Sequence, residues 1–262
     1  MRKLLAVLTL SALALAFTAC GGDDDDNDTA AGDTTSGPTG SITVFGAASL
    51  TEAFTTLGED FEAEHPDTKV EFNFAASSEL VTQIQNAAPA DVFASADASN
   101  MTKLTDASLT AGQPEVFAHN QLAIAVEPGN PKGITALADL SNPDITLVLC
   151  APEVPCGKYA DQALQQAGVT VNPVSREASV KATLTKVELG EADAAIVYVT
   201  DVTSSGKVEG IDIPDDQNVV ATLPITTLKD AGNADLAAEW VDYVLSPAAQ
   251  KVLQDDYGFL AP

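Results

Sequence analysis

Four short stretches of the chain share one chemical pattern, in which an apolar run gives way to small residues and then to an amphipathic helix, and a fifth opens a helix directly behind a Ser. They are Ala47-Ala48-Ser49-Leu50-Thr51-Glu52, Ala75-Ala76-Ser77-Ser78-Glu79, Ser95-Ala96-Asp97, Pro155-Cys156-Gly157-Lys158 and Ser179-Val180. A helix N-terminus offers unpaired N–H groups and about half a positive charge from the backbone dipole. Ser adds a hydroxyl donor, and Gly157 lets backbone approach closely. Tyr198 closes another apolar run, 194–199, with a phenolic hydroxyl. Taken singly these are weak signals. Ser49-x-x-Glu52 fits a capping box that need do nothing but start a helix, and a tyrosine ending a strand is ordinarily a core residue. Asp97 reads as the cap of the helix that follows it, rather than as a proton acceptor or metal ligand. Together, the five starts describe a ring of neutral donors, which is chemistry for binding a small anion and letting it go.

Catalytic alternatives are poorly supplied. His65 and His119 are the only histidines, and neither lies near a Gly-x-Ser-x-Gly or any other nucleophile motif. No phosphate loop of the Gly-x-x-x-x-Gly-Lys type and no His-rich metal cluster is present. Cys156 with a distant His could imitate a thiol nucleophile, but pairing with Cys150 would remove it.

The elements that must position these residues alternate along the chain. Strands are predicted at 41–45, 69–74, 91–95, 121–126, 145–149, 194–199 and 219–224. Helices are predicted at 50–64, 79–87, 98–107, 134–140, 158–167, 180–189, 234–245 and 248–255. Repeated βαβ order argues for an α/β fold with parallel sheets and helices on both faces. In such sheets the carboxyl ends of the strands share one crevice, where ligands bind. The pattern resumes after Phe117-Ala118-His119-Asn120, which marks a crossing between two lobes. The reading assigns 41–118 plus 203–262 to the first lobe and 119–202 to the second.

Before residue 41 the composition is of another kind. Arg2 and Lys3 precede an apolar stretch, 4–17, of signal-peptide length and too short to span a bilayer comfortably. Thr18-Ala19-Cys20 follows, resembling a lipoprotein cleavage site with Cys20 as the lipidated residue; Phe17 departs from the usual Leu, and cleavage without lipid is the alternative. Residues 21–40 carry six Asp and no large apolar side chain, the composition of a solvated tether. The 262 residues carry a formal charge of −26. Removing Arg2 and Lys3 from the 12 basic residues leaves ten against 38 acidic ones, a mature charge of −28. That excludes nucleic acid and anionic lipid surfaces as natural partners. With Cys20 set aside, Cys150 and Cys156 form an even pair in an exported chain, which predicts a disulfide; two free thiols are the alternative.

The motifs ITVFGAASLTEAF, FNFAASSELVTQI, APADVFASAD, CAPEVPCGKYADQAL, AAIVYVTDV and SPAAQKVLQDDYGF resemble those of the periplasmic molybdate-binding proteins, the solute receptors of ABC-type molybdate importers. The resemblance covers essentially all of 41–262. It implies the two-lobed periplasmic-binding-protein fold (type II), each lobe a mainly parallel sheet flanked by helices, closing over a dehydrated tetrahedral oxyanion. It also implies ligand roles for the hydroxyls of Ser49, Ser77 and Tyr198 and the backbone donors of Ala96, Cys156 and Val180, with Ser78 able to share in Ser77's role. Cys156 departs from the Ala frequent at that corner, and a disulfide there would stiffen it. Further implications are no cofactor and no enzymatic activity, and molybdate or tungstate as cargo. The protein would be a monomer outside the cytoplasm, lipid-anchored to the cell membrane through Cys20, with a membrane permease as partner. Phosphate keeps a proton near neutral pH and needs an acceptor, so a donor-only ring favours sulfate, molybdate and tungstate. Receptors of the same fold for sulfate or iron(III) remain alternatives; the four tyrosines, spread along the chain, argue against an iron(III) cluster.

Overall fold

Val44, Ile42 and their neighbours bury one edge-to-edge ladder that starts the fold. The computed structural model describes residues 39–262; the signal segment, Cys20 and the tether up to residue 38 lie outside the described residues. The chain begins with β1 (Gly40–Ala47), a 3-10 turn (Ala48–Leu50) and α1 (Thr51–Glu64), then β2 (Thr68–Ala75) and α2 (Ser77–Gln85). β3 (Val92–Ala94), α3 (Ala98–Asp106) and β4 (Glu115–Asn120) follow. A second set comprises β5 (Leu122–Val126), a 3-10 turn (Leu137–Ser141), β6 (Leu147–Cys150), α4 (Pro155–Gln166) and β7 (Ser175–Glu177). It is completed by α5 (Val180–Glu188), β8 (Ala194–Tyr198), α6 (Val199–Ser205) and β9 (Glu209–Asp212). The chain then returns through β10 (Ala221–Thr227) to α7 (Ala234–Leu245) and α8 (Pro247–Asp255).

Two five-stranded sheets result, ordered β2-β1-β3-β10-β4 and β7-β6-β8-β5-β9. Within each, the first three strands are parallel, and the fourth runs antiparallel to both its neighbours. The sheets are therefore mainly parallel rather than wholly so. The reversed strands β10 and β5 are those beside which the chain changes sheet. Central strands of the second sheet are buried on both faces, which is why LVLC, LAIAV and AAIVY read as continuous apolar runs. In the first lobe the buried Trp240 anchors the core, meeting Phe54 and Phe61 edge-on at ring-centroid distances of 5.9 and 5.5 Å.

Three sequence expectations need correction. The return crossing lies within 213–220 rather than at 203, because Glu209–Asp212 pairs with β5 in the second sheet. That strand, EGID, carries a single large apolar residue and so leaves no strand signature. The helix expected at 134–140 is only a 3-10 turn at Leu137–Ser141. Asp139 accepts from the N–H groups of Thr135 and Ala136 and fixes its start, and Pro143 forces Asn142 into extended backbone at its end. Short strands at β4 and β7 were not expected; both lack a run of alternating apolar residues.

The two crossings are tied together. Asn218 accepts from the Leu122 N–H at 3.1 Å and donates to the Leu122 carbonyl at 2.9 Å. Asn120 donates to Thr200 Oγ1 at 2.8 Å and also accepts from the Gln121 N–H. The switch between sheets is thus a pair of neighbouring segments fastened at Leu122 and Asn218 by one side-chain amide.

Candidate functional site

The carboxyl ends of β1, β2, β3, β6, β7 and β8 converge on one cavity of about 200 Å³, counting its mouth. It is lined by Ala47, Ala48, Ser49, Ala76, Ser77 and Ala96 from the first lobe and Val154, Pro155, Cys156, Val180 and Tyr198 from the second. All six residues singled out in the sequence are brought together here. Ser78 is not among the lining residues; it lies on a wider outer cleft of the same gap with Glu79, Lys103 and Glu153. That separates the two serines, which spacing alone had left equivalent.

On the first-lobe side, Ser49 is not the helix cap that Ser49-x-x-Glu52 suggested. It sits inside the 3-10 turn, Leu50 occupies the cap position of α1, and no side chain caps it. With the helix start shifted past Ser49, Glu52 is not in position to complete a box and instead accepts from Lys181 Nζ, 2.7 Å distant on the other lobe. Ser49 is left 95% buried, and its Oγ has no hydrogen-bond partner among the described residues. Ser77 opens α2 behind an uncapped Ala76, so its own N–H and that of Ser78 have no partner within the helix. Its hydroxyl oxygen accepts the Ala96 N–H at 3.0 Å, so that backbone donor is engaged by Ser77 while the Ser77 O–H remains to donate.

On the opposite wall α4 starts at Pro155, whose missing N–H suits the first helical position. The first N–H to bond within the helix is that of Lys158, to Val154 O at 3.0 Å, which leaves Cys156 and Gly157 N–H groups unpaired by helix geometry. Gly157 is obligatory: a Cβ there would lie 2.1 Å from the Ala151 carbonyl oxygen and 2.6 Å from that of Cys150. The Cys150 and Cys156 sulfurs are bonded, joining the end of β6 to the first turn of α4 with both residues fully buried. Cys150 Sγ also lies 3.3 Å from Thr183 Oγ1 in α5. That helix is capped by Ser179, which accepts from Ala182 N–H at 3.2 Å, leaving the Val180 N–H at the cavity wall. Tyr198 is 2% exposed, and its hydroxyl has no partner among the described residues. Burial above all, with Tyr159, Asp201 and Asp97 nearby, raises its pKa well above the ordinary phenol value, so it stays a donor.

None of the lining residues is charged. Charges stand one shell back and are paired. Asp97 caps α3 through the Asn100 N–H at 2.9 Å, takes the Ser99 hydroxyl at 2.6 Å, and faces Lys158 Nζ at 3.3 Å. Lys158 Nζ in turn donates to Ser99 Oγ at 2.9 Å. Lys181 Nζ lies 3.1 Å from Asp201 Oδ1, while Asp201 Oδ2 accepts the Tyr198 N–H at 3.2 Å. Burial raises the Asp201 pKa against the opposing pull of Lys181; burial pulls the Lys181 pKa down, but Asp201 and Glu52 outweigh it and raise it. Neither lysine belongs to a motif that marks it as a site residue in the sequence. The available signal was a basic residue in the first turn of a helix, where the dipole disfavours it. Among the described residues no group of three or more His, Cys, Asp or Glu is placed to hold a metal ion.

Both the sequence and the fold have counterparts among known proteins. Residues 42–260 match the model of the bacterial extracellular solute-binding proteins. The molybdate-binding protein ModA of Mycobacterium tuberculosis is 44% identical over 223 residues, 85% of each chain. The solved Azotobacter vinelandii periplasmic molybdate-binding protein superposes with a TM-score of 0.75 at 19% identity, covering 84% of this chain and 99% of that one. The sulfate-binding protein SubI of Mycobacterium tuberculosis gives 0.74 at 18% identity, covering 85% and 86%, so the fold by itself is shared by receptors of different oxyanions. Solute-binding proteins capture their ligands without transforming them and need no cofactor, and this chain belongs to that family, the bacterial extracellular solute-binding proteins.

Proposed function

We propose that this protein is the extracytoplasmic receptor for molybdate, with tungstate as an equivalent ligand, and that it hands the oxyanion to an ABC-type permease. The observation that carries the reading is the pair of buried, unpartnered hydroxyls, Ser49 and Tyr198, on opposite walls of an uncharged cavity. Two buried donors without acceptors are costly in a protein interior. A tetrahedral dianion accepts from both, and from the Ser77 hydroxyl and the backbone N–H groups of Cys156 and Val180. Ala96 shapes the wall and orients Ser77 through its N–H. No carboxylate lines the cavity to receive the proton of hydrogen phosphate. Binding proceeds on one lobe, and rotation about the paired crossings brings the other over the anion. The protein acts as a monomer, held to the membrane by lipid on Cys20 and spaced from it by the acidic tether.

Thermal unfolding with molybdate, tungstate, sulfate, phosphate and iron(III) tests this directly. A ligand at about a thousand times its Kd adds roughly 4 kcal/mol of stability. Molybdate and tungstate are expected to give large shifts, and phosphate and iron(III) none. A sulfate shift as large as that of molybdate would move the assignment to sulfate. No shift with any of the oxyanions would reject the reading.

A further inference from the structure

Two lysines sit where helix electrostatics disfavour them. Lys158 is the fourth residue of α4 and Lys181 the second residue of α5, each in the first turn of a second-lobe helix whose N-terminus faces the cavity. A cation there is repelled by the positive end of the dipole, so its position calls for a partner elsewhere. Both reach across the gap to the first lobe. Lys158 Nζ meets Asp97 Oδ2 at 3.3 Å and Ser99 Oγ at 2.9 Å; Lys181 Nζ meets Glu52 Oε2 at 2.7 Å. Their targets are also placed beside the site: Asp97 follows Ala96, and Glu52 lies one turn beyond Ser49. In an open molecule these carboxylates would stand next to the anion walls with no cation opposite.

We propose that Lys158 and Lys181 form a two-point clasp across the cleft, affinity-determining residues that act without touching the ligand. Each pair forms only when the lobes meet. Each also neutralises a carboxylate that would otherwise repel the oxyanion, so lobe contact and anion binding stabilise one another. The two pairs differ in character. Asp97 is buried and fixed by its cap, so its pairing with Lys158 is held in one geometry. Glu52 is 41% exposed at its side chain, and water screens its pairing with Lys181 more. Lys181 keeps buried Asp201 as a second partner whether or not Glu52 is present. Lys158 is therefore the stronger of the two points. This inference rests on the reading of the cavity as an oxyanion site.

The test uses Lys158→Met and Glu52→Gln in the whole exported protein; Glu52→Gln leaves the Lys181–Asp201 pair intact, and Ser99→Ala serves should Lys158→Met fold poorly. Molybdate affinity and dissociation rate are measured by calorimetry and stopped flow, and compactness by small-angle scattering with and without molybdate. Lys158→Met is expected to weaken binding about tenfold and Glu52→Gln about threefold, mainly through faster dissociation. Both should compact less at a subsaturating molybdate concentration. Wild-type affinity and dissociation rate in both variants would overturn the clasp while leaving the anion site standing. If the wild-type protein binds no molybdate, the anion reading fails, and the clasp is judged on ligand-free scattering. There, variants no more expanded than wild type overturn it as well.

Discussion

Replacing Tyr198 by Phe removes one oxygen that the protein itself does not use. The hydroxyl is buried with no partner among the described residues, so its loss breaks no intramolecular hydrogen bond. The ligand-free protein is expected to keep its stability or gain slightly, since an unsatisfied buried polar group costs about 1–3 kcal/mol. Binding should respond in the opposite direction. A hydrogen bond from a neutral donor to an anion contributes about 1.5–3 kcal/mol, which converts to a Kd raised roughly 10- to 150-fold at RT of about 0.6 kcal/mol. Molybdate-induced stabilisation at a fixed, saturating concentration should shrink by the same 1.5–3 kcal/mol or so. Calorimetric titration gives the affinity, and denaturant unfolding without ligand gives the intrinsic stability. A variant that loses stability while binding molybdate as tightly as the wild type would refute the reasoning, because the hydroxyl would then be serving the fold.

Gly157→Ala is expected to abolish tight binding and to destabilise the second lobe by about 2 kcal/mol or more, because its Cβ meets backbone that cannot move aside; thermal unfolding and titration report the two effects separately. Cys150→Ala/Cys156→Ala opens a seven-residue loop, for which loop entropy gives about 2 kcal/mol of lost stability. Its backbone donor survives, so affinity should fall less than stability, as read by unfolding and calorimetry side by side. Asp139 titrates below its ordinary value because the Thr135 N–H and hydroxyl and the Ala136 N–H favour its charged form. Its contribution is therefore complete above about pH 4 and is lost as pH falls through the lowered folded-state value. Asp139→Asn should flatten the acid limb of the stability-versus-pH curve and leave the neutral limb parallel to wild type.

The sequence by itself determined most of the helices and the buried central strands. Runs such as AAIVY and LVLC announce buried strands because parallel-type sheets covered on both faces tolerate no polar alternation. Small residues followed by Ser, or by Pro-Cys-Gly, announce helix starts whose N–H groups have no partner within the helix. That is local chemistry, and with the family resemblance it singled out Ser49, Ser77, Ala96, Cys156, Val180 and Tyr198, which line one cavity. What each does there was not local. Glu52 stands at capping-box spacing from Ser49, yet a 3-10 turn moves the helix start past Ser49, and Glu52 pairs instead with a lysine 129 residues away. Likewise the Ala96 N–H goes to Ser77, a partner 19 residues back that only sheet order brings near. The lobe boundary was misplaced for the same reason, since EGID is a strand only because β5 offers it an edge. Hydrogen-bond and charge partners are decided by pairs far apart in the chain, and no spacing rule reaches across a fold. Only the tertiary structure could leave two hydroxyls unpaired on facing walls and set two lysines against the carboxylates behind them.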